Sequence, residues 1–336
     1  MKVREIGEFG LIDRIDKRVG RFSYPVLMGI GDDASILHGD SAYDIVTTTD
    51  MLMEGSHFIL GKTPPYDLGY KSHTVNLSDS AAMGAIPVQS FLSLALPADA
   101  EVEEVESFLD GFLDAGPGVQ LSGGDTVSSR SGWGISVTVI GRVPSGRALR
   151  RDTAVPGDSI WMSGPAGDSA AGLAILLGKA LPRGEEDAAF LIEKHNRPLP
   201  QLRMGRVLAE GNLSRCAIDM SDGLLQDLGH ICERSGVGAR LDLERIPMSP
   251  QIVKLGRENG VDPMKEWVLG GGEDYALLFT VRPGEEDRLE KVLEKEDLQA
   301  APIGQIIPGT GITLTEKGKP VPFEGIRGFN HFHREG

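Results

Sequence analysis

Six segments of this 336-residue chain set a carboxylate beside Gly, Ser or Thr at the end of a short apolar stretch. They are Gly29-Ile30-Gly31-Asp32-Asp33-Ala34, Thr47-Thr48-Thr49-Asp50, Asn76-Leu77-Ser78-Asp79, Ser122-Gly123-Gly124-Asp125-Thr126, Ile218-Asp219-Met220-Ser221-Asp222-Gly223 and Gly270-Gly271-Gly272-Glu273-Asp274-Tyr275. In α/β folds, strand-to-loop junctions of this type project side chains into a shared crevice. Two carboxylates about 4 Å apart repel by roughly 4 kcal/mol at an effective dielectric near 20, so gathering them calls for a cation. Mg²⁺ is the hard ion whose usual shell is carboxylate and phosphate oxygen. Acids alone repel a nucleotide, whereas acids carrying several Mg²⁺ ions hold one. The neighbouring glycines let backbone N–H groups approach phosphate oxygens.

Taken singly, each segment has a simpler reading. Asp222 ahead of a helix is as well explained as an N-cap, and Asp32-Asp33 as a turn. Their number is what points to a polyphosphate site. Other motifs fail on inspection. The match of residues 29–34 to G-x-G-x-x-A puts two acids where a pyrophosphate would lie. Gly61-Lys62-Thr63 resembles the end of a P-loop, but Ser56 stands at the required first glycine, and Pro64-Pro65 is expected to prevent the following helix. No zinc spacing and no nucleophile elbow occurs. Cys216 and Cys232 read as small core fillers, and Trp133, Trp161 and Trp267 as core packing.

The elements that must position these acids alternate. Residues 44–49, 91–96 and 134–143 read as strands and 66–83 and 102–113 as helices. A polar turn at Pro144-Ser145-Gly146-Arg147 suggests a boundary, giving domains 1–146 and 147–336. In the second half, residues 159–162 and 275–281 read as strands, and 169–177, 199–209, 223–234 and 285–294 as helices. Strands and helices mixed in both halves predict a two-domain α/β (α+β) protein.

Composition excludes several classes. With 34 Lys plus Arg against 49 Asp plus Glu, the net charge is −15, which argues against a nucleic-acid partner. Much of the acid excess is solvated surface, such as Glu101, Glu103, Glu104 and Glu106. No apolar run approaches the roughly 20 residues of a membrane helix, and the first residues lack a signal-peptide core. Two cysteines are too few for a disulfide framework, so a cytoplasmic location is expected.

In order and spacing, the motifs resemble the thiamine-monophosphate kinase family, in the superfamily that includes aminoimidazole ribonucleotide synthetase and selenophosphate synthetase. The resemblance runs from Glu8-Phe9-Gly10-Leu11-Ile12 to Gly328-Phe329-Asn330-His331-Phe332. It is most particular at Glu54-Gly55-Ser56-His57-Phe58, at residues 76–85 and at Gly271-Gly272-Glu273-Asp274-Tyr275. It implies a homodimer in which the N-terminal domains' strands form a dimer-spanning barrel, with ATP between the two domains under a cluster of Mg²⁺ ions. By the same resemblance, Asp33, Thr48, Thr49, Asp50, Asp79, Asp125, Asp219 and Asp222 form the metal shell. Asp50, Asp79 and Asp222 are its catalytic members, and Asp50 and Asp79 are expected to bridge ions at the β- and γ-phosphates. Gly124, Asp125, Arg151 and Ser221 contact ATP, and His57, Glu273 and Phe329 hold thiamine monophosphate. The implied reaction is direct in-line transfer of the γ-phosphoryl group to that acceptor, giving thiamine diphosphate and ADP.

The chain departs from the family's pattern at Ala276, where Glu is usual, and at Phe329, where Tyr or Trp is frequent. The rivals are a superfamily relative and a nucleotide-binding regulator without turnover. No cysteine precedes Cys216, as a selenophosphate synthetase requires, and none stands in His331-Phe332-His333-Arg334-Glu335-Gly336, where a hydrogenase maturation factor carries one. Every motif retains the acids that a silent regulator is expected to lose.

Overall fold

The structure, a computed structural model, describes residues 3–20 and 22–322. The first half comprises α1 (Val3–Val19), β1 (Val26–Met28), β2 (Ser35–His38), β3 (Tyr43–Met53), α2 (Pro65–Ala82), β4 (Ile86–Pro97), α3 (Val102–Ala115), β5 (Gln120–Ser129) and β6 (Gly134–Pro144). Its strands form a six-stranded sheet in the order β1-β2-β3-β6-β4-β5, with β4 and β5 the parallel pair. In β3, Asp44, Val46, Thr48 and Leu52 are buried, while Thr49, Met51 and Met53 between them are exposed. That is the period-two pattern of a sheet with one covered face. Helices α2 and α3 cover it. Phe108 and Phe112 of α3 and Leu68 and Leu77 of α2 are fully buried against Leu52, Leu92, Val137 and Trp133. Each such side chain contributes about 1.5–3 kcal/mol.

The second half comprises β7 (Ser159–Met162), α4 (Asp168–Leu176), α5 (Glu185–Asn196), α6 (Leu202–Glu210), β8 (Ala217–Asp219), α7 (Leu224–Ser235), β9 (Gly238–Asp242), α8 (Pro250–Asn259), β10 (Leu277–Val281), α9 (Glu286–Lys295), β11 (Ala301–Ile307), β12 (Gly311–Glu316) and β13 (Lys319–Val321). They build a seven-stranded sheet in the order β13-β12-β9-β11-β7-β10-β8. The mixed α/β, two-domain architecture is therefore as expected. A shared core joins the halves, where Val46, Ala81, Met83 and Val143 meet Trp161, Leu208, Leu277 and Phe279. Among the described residues, no helix is long and apolar enough to cross a membrane.

Helix α2 is wedged between its own sheet and the second half, and that placement decides its chemistry. Lys71, Ser72, His73, Thr74, Asn76, Ser78 and Ser80 are all buried along it. Polar groups in such a place must find partners within the protein.

One expectation changes. Pro64 and Pro65 do not prevent a helix; they begin α2, with Pro64 as N-cap and a proline in the first turn, where the missing N–H costs nothing. Residues 120–129, read above as neither strand nor helix, form an edge strand. The first sheet is open within the single chain, with β1 and β5 at its edges.

Candidate active site

A cavity of about 790 Å³ opens between the two halves. Asp50, Asp79, Asp219, Ser221, Asp222, His57 and Glu273 line it, together with apolar Phe58, Ile59, Leu173 and Trp267. The acids reach it from unlike elements. Asp50 lies within β3, Asp79 inside α2, and Asp219 ends β8. The expectation that all stand at strand-to-loop junctions therefore fails for Asp50 and Asp79. Alternation along β3 turns Thr48 and Asp50 to the covered face, and α2 presents Asp79 to them.

Carboxylate oxygens of Asp33, Asp79 and Asp219 lie within 4.8 Å of one another. Thr48 Oγ1 donates to Asp79 Oδ2, and Ser78 Oγ donates to Asp219 Oδ2 at 2.6 Å. Burial, with Asp33 nearby, pushes Asp219 up to about 8 and Asp50 up to about 6. Asp79 is held well above the usual carboxylate range by burial and by Asp50, Asp219 and Asp33. Desolvation and mutual repulsion are the two causes that raise a carboxyl pKa, and here they act together.

Arg151 is the cation that the protein itself brings to this group. It pairs with Asp33 through Nη2, and its Nε lies 3.3 Å from Asp32 Oδ1. Its backbone N–H donates to Asp32 Oδ2 at 3.1 Å. Even so, burial pushes Asp32 up to about 7 and keeps Asp33 raised. Asp33 Oδ2 is buried without a hydrogen-bond partner. An orphaned carboxylate oxygen within a ring of acids is a donor set suited to a hard divalent cation.

Asp222 follows β8 and accepts from Gln226 Nε2 at 2.8 Å. The cap of α7 is not its work: Asp227, buried in the first turn, accepts the N–H groups of Asp222 and Gly223 at 3.2 and 3.0 Å. Asp227 carried no signal in the sequence beyond its spacing from Gly223.

Two expected members are not brought to the cluster. Thr49 turns to the opposite face of β3, where its Oγ1 donates to Val137 O at 3.1 Å. Asp125 lies in β5, is exposed, and accepts the Thr126 N–H at 2.8 Å. Pairing runs Asp50↔Val137, Val137↔Leu92 and Leu92↔Gly124. Gly124 is thus three strands from Asp50, roughly 14 Å at about 4.8 Å per strand. Gly124 also has a local reason to be glycine: a Cβ there would stand 1.6 Å from Leu92 O.

Beside the acids, Glu273 and His57 face the same cavity. His57 Nδ1 accepts the Met53 N–H at 2.9 Å. Glu273 has φ +66° and Tyr275 φ +52°, left-handed values that non-glycine residues adopt at a cost. A Cβ on Gly272 would stand 2.4 Å from Ser221 O, so this loop lies directly on the Ser221 turn. Ala276, where the resemblance leads one to expect Glu, is buried, and its carbonyl accepts the Met220 N–H at 2.8 Å. Phe329 lies outside the described residues.

Family models described as AIR synthase related protein, N-terminal domain and C-terminal domain, match residues 31–143 and 155–317. A thiamine-monophosphate kinase of Escherichia coli K12 is 41% identical over 329 residues, covering 97% of this chain and 98% of the relative. The solved complex of AaThiL with AMPPCP and TMP superposes with a TM-score of 0.85 at 34% identity, covering 98% of this chain and 99% of that one. A thiamine-monophosphate kinase structure from Stenotrophomonas maltophilia K279a gives 0.74 at 39% identity, covering 94% and 98%. With its acids gathered at a cavity between two such domains, the chain belongs to the thiamine-monophosphate kinase family of AIR synthase related proteins.

Proposed function

We propose that this protein transfers the γ-phosphoryl group of ATP to thiamine monophosphate, yielding thiamine diphosphate and ADP. The observation that carries the reading is the meeting of Asp33, Asp79 and Asp219 within 4.8 Å at a cavity that also holds Glu273 and His57. The AaThiL complex with AMPPCP and TMP supports it. In the reaction an oxygen of the acceptor phosphate attacks the γ-phosphorus as the bond to the ADP oxygen breaks. That oxygen is already ionised near neutral pH, so no general base is needed, and catalysis rests on positioning and charge neutralisation.

The acid group fits Mg²⁺, with Asp33, Thr48, Asp50, Asp79, Asp219 and Asp222 as the residues that would hold it. When bound, Mg²⁺ supplies the positive charge that screens donor and acceptor phosphates. Arg151 and Ser221 are the residues assigned to a nucleotide phosphate in this reading, and the planar fork of Arg suits phosphate. His57 and Glu273 bind the acceptor.

The homodimer belongs to this proposal. β5 is an edge strand exposed on both faces, and Met51 and Val127 are exposed apolar residues of the same sheet. Unpaired edges of this kind invite another chain. A partner there would account for Gly124 and Asp125, which have no place at the cluster of their own chain. Domains of 1–146 and 147–336 and a cytoplasmic site of action complete the reading.

The test is incubation with Mg²⁺-ATP and thiamine monophosphate, an EDTA control, free thiamine as a second acceptor, and chromatography of the products. Thiamine diphosphate and ADP in equal amounts, abolished by EDTA, are expected. A folded, nucleotide-binding protein that makes no diphosphate would remove the acceptor assignment.

A further inference from the structure

Lys71 is a lysine in an unusual place. It sits on α2 with its side chain 4% exposed, where an unpaired ammonium would cost several kcal/mol. Its Nζ lies 2.8 Å from Glu273 Oε1 and 3.5 Å from Nε2 of His195 on α5. His195 is itself buried, with Nδ1 3.1 Å from Ser169 Oγ on α4 and 3.5 Å from Glu273 Oε2. An ammonium only donates, so Nε2 of the imidazole must accept, and the ring proton stands on Nδ1, facing Ser169 and Glu273. Both carboxylate oxygens of Glu273 are therefore addressed from behind, from two different helices, while 31% of that side chain faces the cavity.

We propose that Lys71 and His195 are positioning residues for the acceptor: they fix the Glu273 carboxylate, ionised and acceptor-only, toward a positively charged ring system that bears N–H donors. This rests on the reading above, since thiamine monophosphate carries a cationic thiazolium and an aminopyrimidine. Without the ammonium, burial would favour a protonated Glu273, which would present a donor where an acceptor is needed. Burial acts to raise this carboxyl, but the Lys71 ammonium outweighs it and holds it below its ordinary value, with His195 and His57 adding to that only where they are protonated. Burial and Lys71 push His195 down to about 4, so the ring is neutral at pH 7. The remaining groups that face Glu273 are its chain neighbours Asp274 and Tyr275. Asp274 is turned away into the N–H groups of Gly167 and Ser169.

The arrangement separates acceptor binding from nucleotide binding, and steady-state kinetics with both substrates reads that separation. Lys71→Met is expected to raise the KM for thiamine monophosphate about tenfold or more, with the KM for ATP within about twofold and kcat changed less than the acceptor KM. Lys71→Arg restores part of the loss. In a Glu273→Gln background, Lys71→Met adds little, because the two residues act through one carboxylate. If Lys71→Met does not fold, as judged by its melting curve, His195→Asn is used for the same two-substrate comparison. Equal losses for both substrates, or losses additive with Glu273→Gln, would overturn the proposal. A wild type that makes no thiamine diphosphate overturns the function reading, whereas an active wild type with an unmoved acceptor KM in Lys71→Met overturns this inference alone.

Discussion

Two groups of carboxylates face one cavity, and the protein treats them oppositely. Glu273 is given a buried ammonium of its own, Lys71 at 2.8 Å, and its carboxyl is held below the ordinary value. In the group of Asp33, Asp50, Asp79 and Asp219, the Arg151 guanidinium pairs with Asp33 and is divided with Asp32, and every carboxyl of the group is raised. One acid is finished within the fold. The others are left short of positive charge, which a ligand must bring. A fixed ion pair gives an oriented recognition element, whereas an underneutralised cluster gives affinity for a cation that comes and goes with its phosphates.

The largest effect should come from breaking the underneutralised side. Asp79→Asn is expected to lower kcat/KM at saturating Mg²⁺ by at least about 10²-fold, the scale for removing one electrostatic contact to a phosphoryl transition state. The same change removes a buried group that must ionise as pH rises, so the melting temperature of the metal-free protein should fall less steeply from pH 5.5 to 8.5 than in the wild type. An Asp79→Asn enzyme of ordinary activity would dissolve the contrast. Asp50→Asn serves as a second probe, because Asp50 reaches the group from β3 and not from α2.

Next in size is the finished side. Glu273→Gln should raise the acceptor KM by roughly tenfold or more and leave the KM for ATP nearly unchanged. It should also destabilise the fold, since it leaves Lys71 buried without its carboxylate. A loss spread evenly over both substrates would show that Glu273 does not belong to the acceptor.

The two sides also differ in their dependence on pH. For carboxyls raised in the folded state, the folded protein binds more protons than the unfolded one between about pH 4 and the raised values, and stability falls as pH rises. With Asp50 near 6, Asp32 near 7 and Asp219 near 8, the metal-free protein should melt at progressively lower temperature from pH 5.5 to 8.5. Saturating Mg²⁺ with AMPPCP should flatten or reverse that slope. Glu273 contributes with the opposite sign, but its change falls below the ordinary carboxylate value and outside this window.

The smallest effect sharpens the geometry. Thr48 and Thr49 are neighbours of like chemistry on opposite faces of β3. Thr49→Val should change activity by no more than about twofold, while Thr48→Val, which removes the donor to Asp79, should cost clearly more. Equal effects would mean that the alternation does not govern the site.

Much of this site was legible because acids beside glycines are distinctive in type and spacing. The elements around them were legible where burial leaves a period, as in β3, α3 and β6. β5 left none: apart from the half-buried Leu121 and Ser129 its residues are exposed on both faces, so no alternation marked a strand. The roles of Thr49 and Asp125 could not be read either, since facing and strand order are set by pairing across the sheet. Lys71 and His195 were invisible for a different reason. A lysine in a helix looks like surface until α5, 124 residues further along, closes over it. Asp79 was legible in type and in element, since residues 66–83 read as the helix that α2 is, and only the shared strand-to-loop placement of the six segments does not hold for it.

The central claim is that the aspartate group holds protons that a metal-bound nucleotide displaces. It is tested by calorimetric titration of the protein with preformed Mg²⁺–AMPPCP in excess Mg²⁺ at pH 7, in two buffers of very different ionisation enthalpy. The account predicts buffer-dependent heats that report net proton release, diminished in Asp219→Asn. Heats that are the same in both buffers, at undiminished affinity, would contradict it.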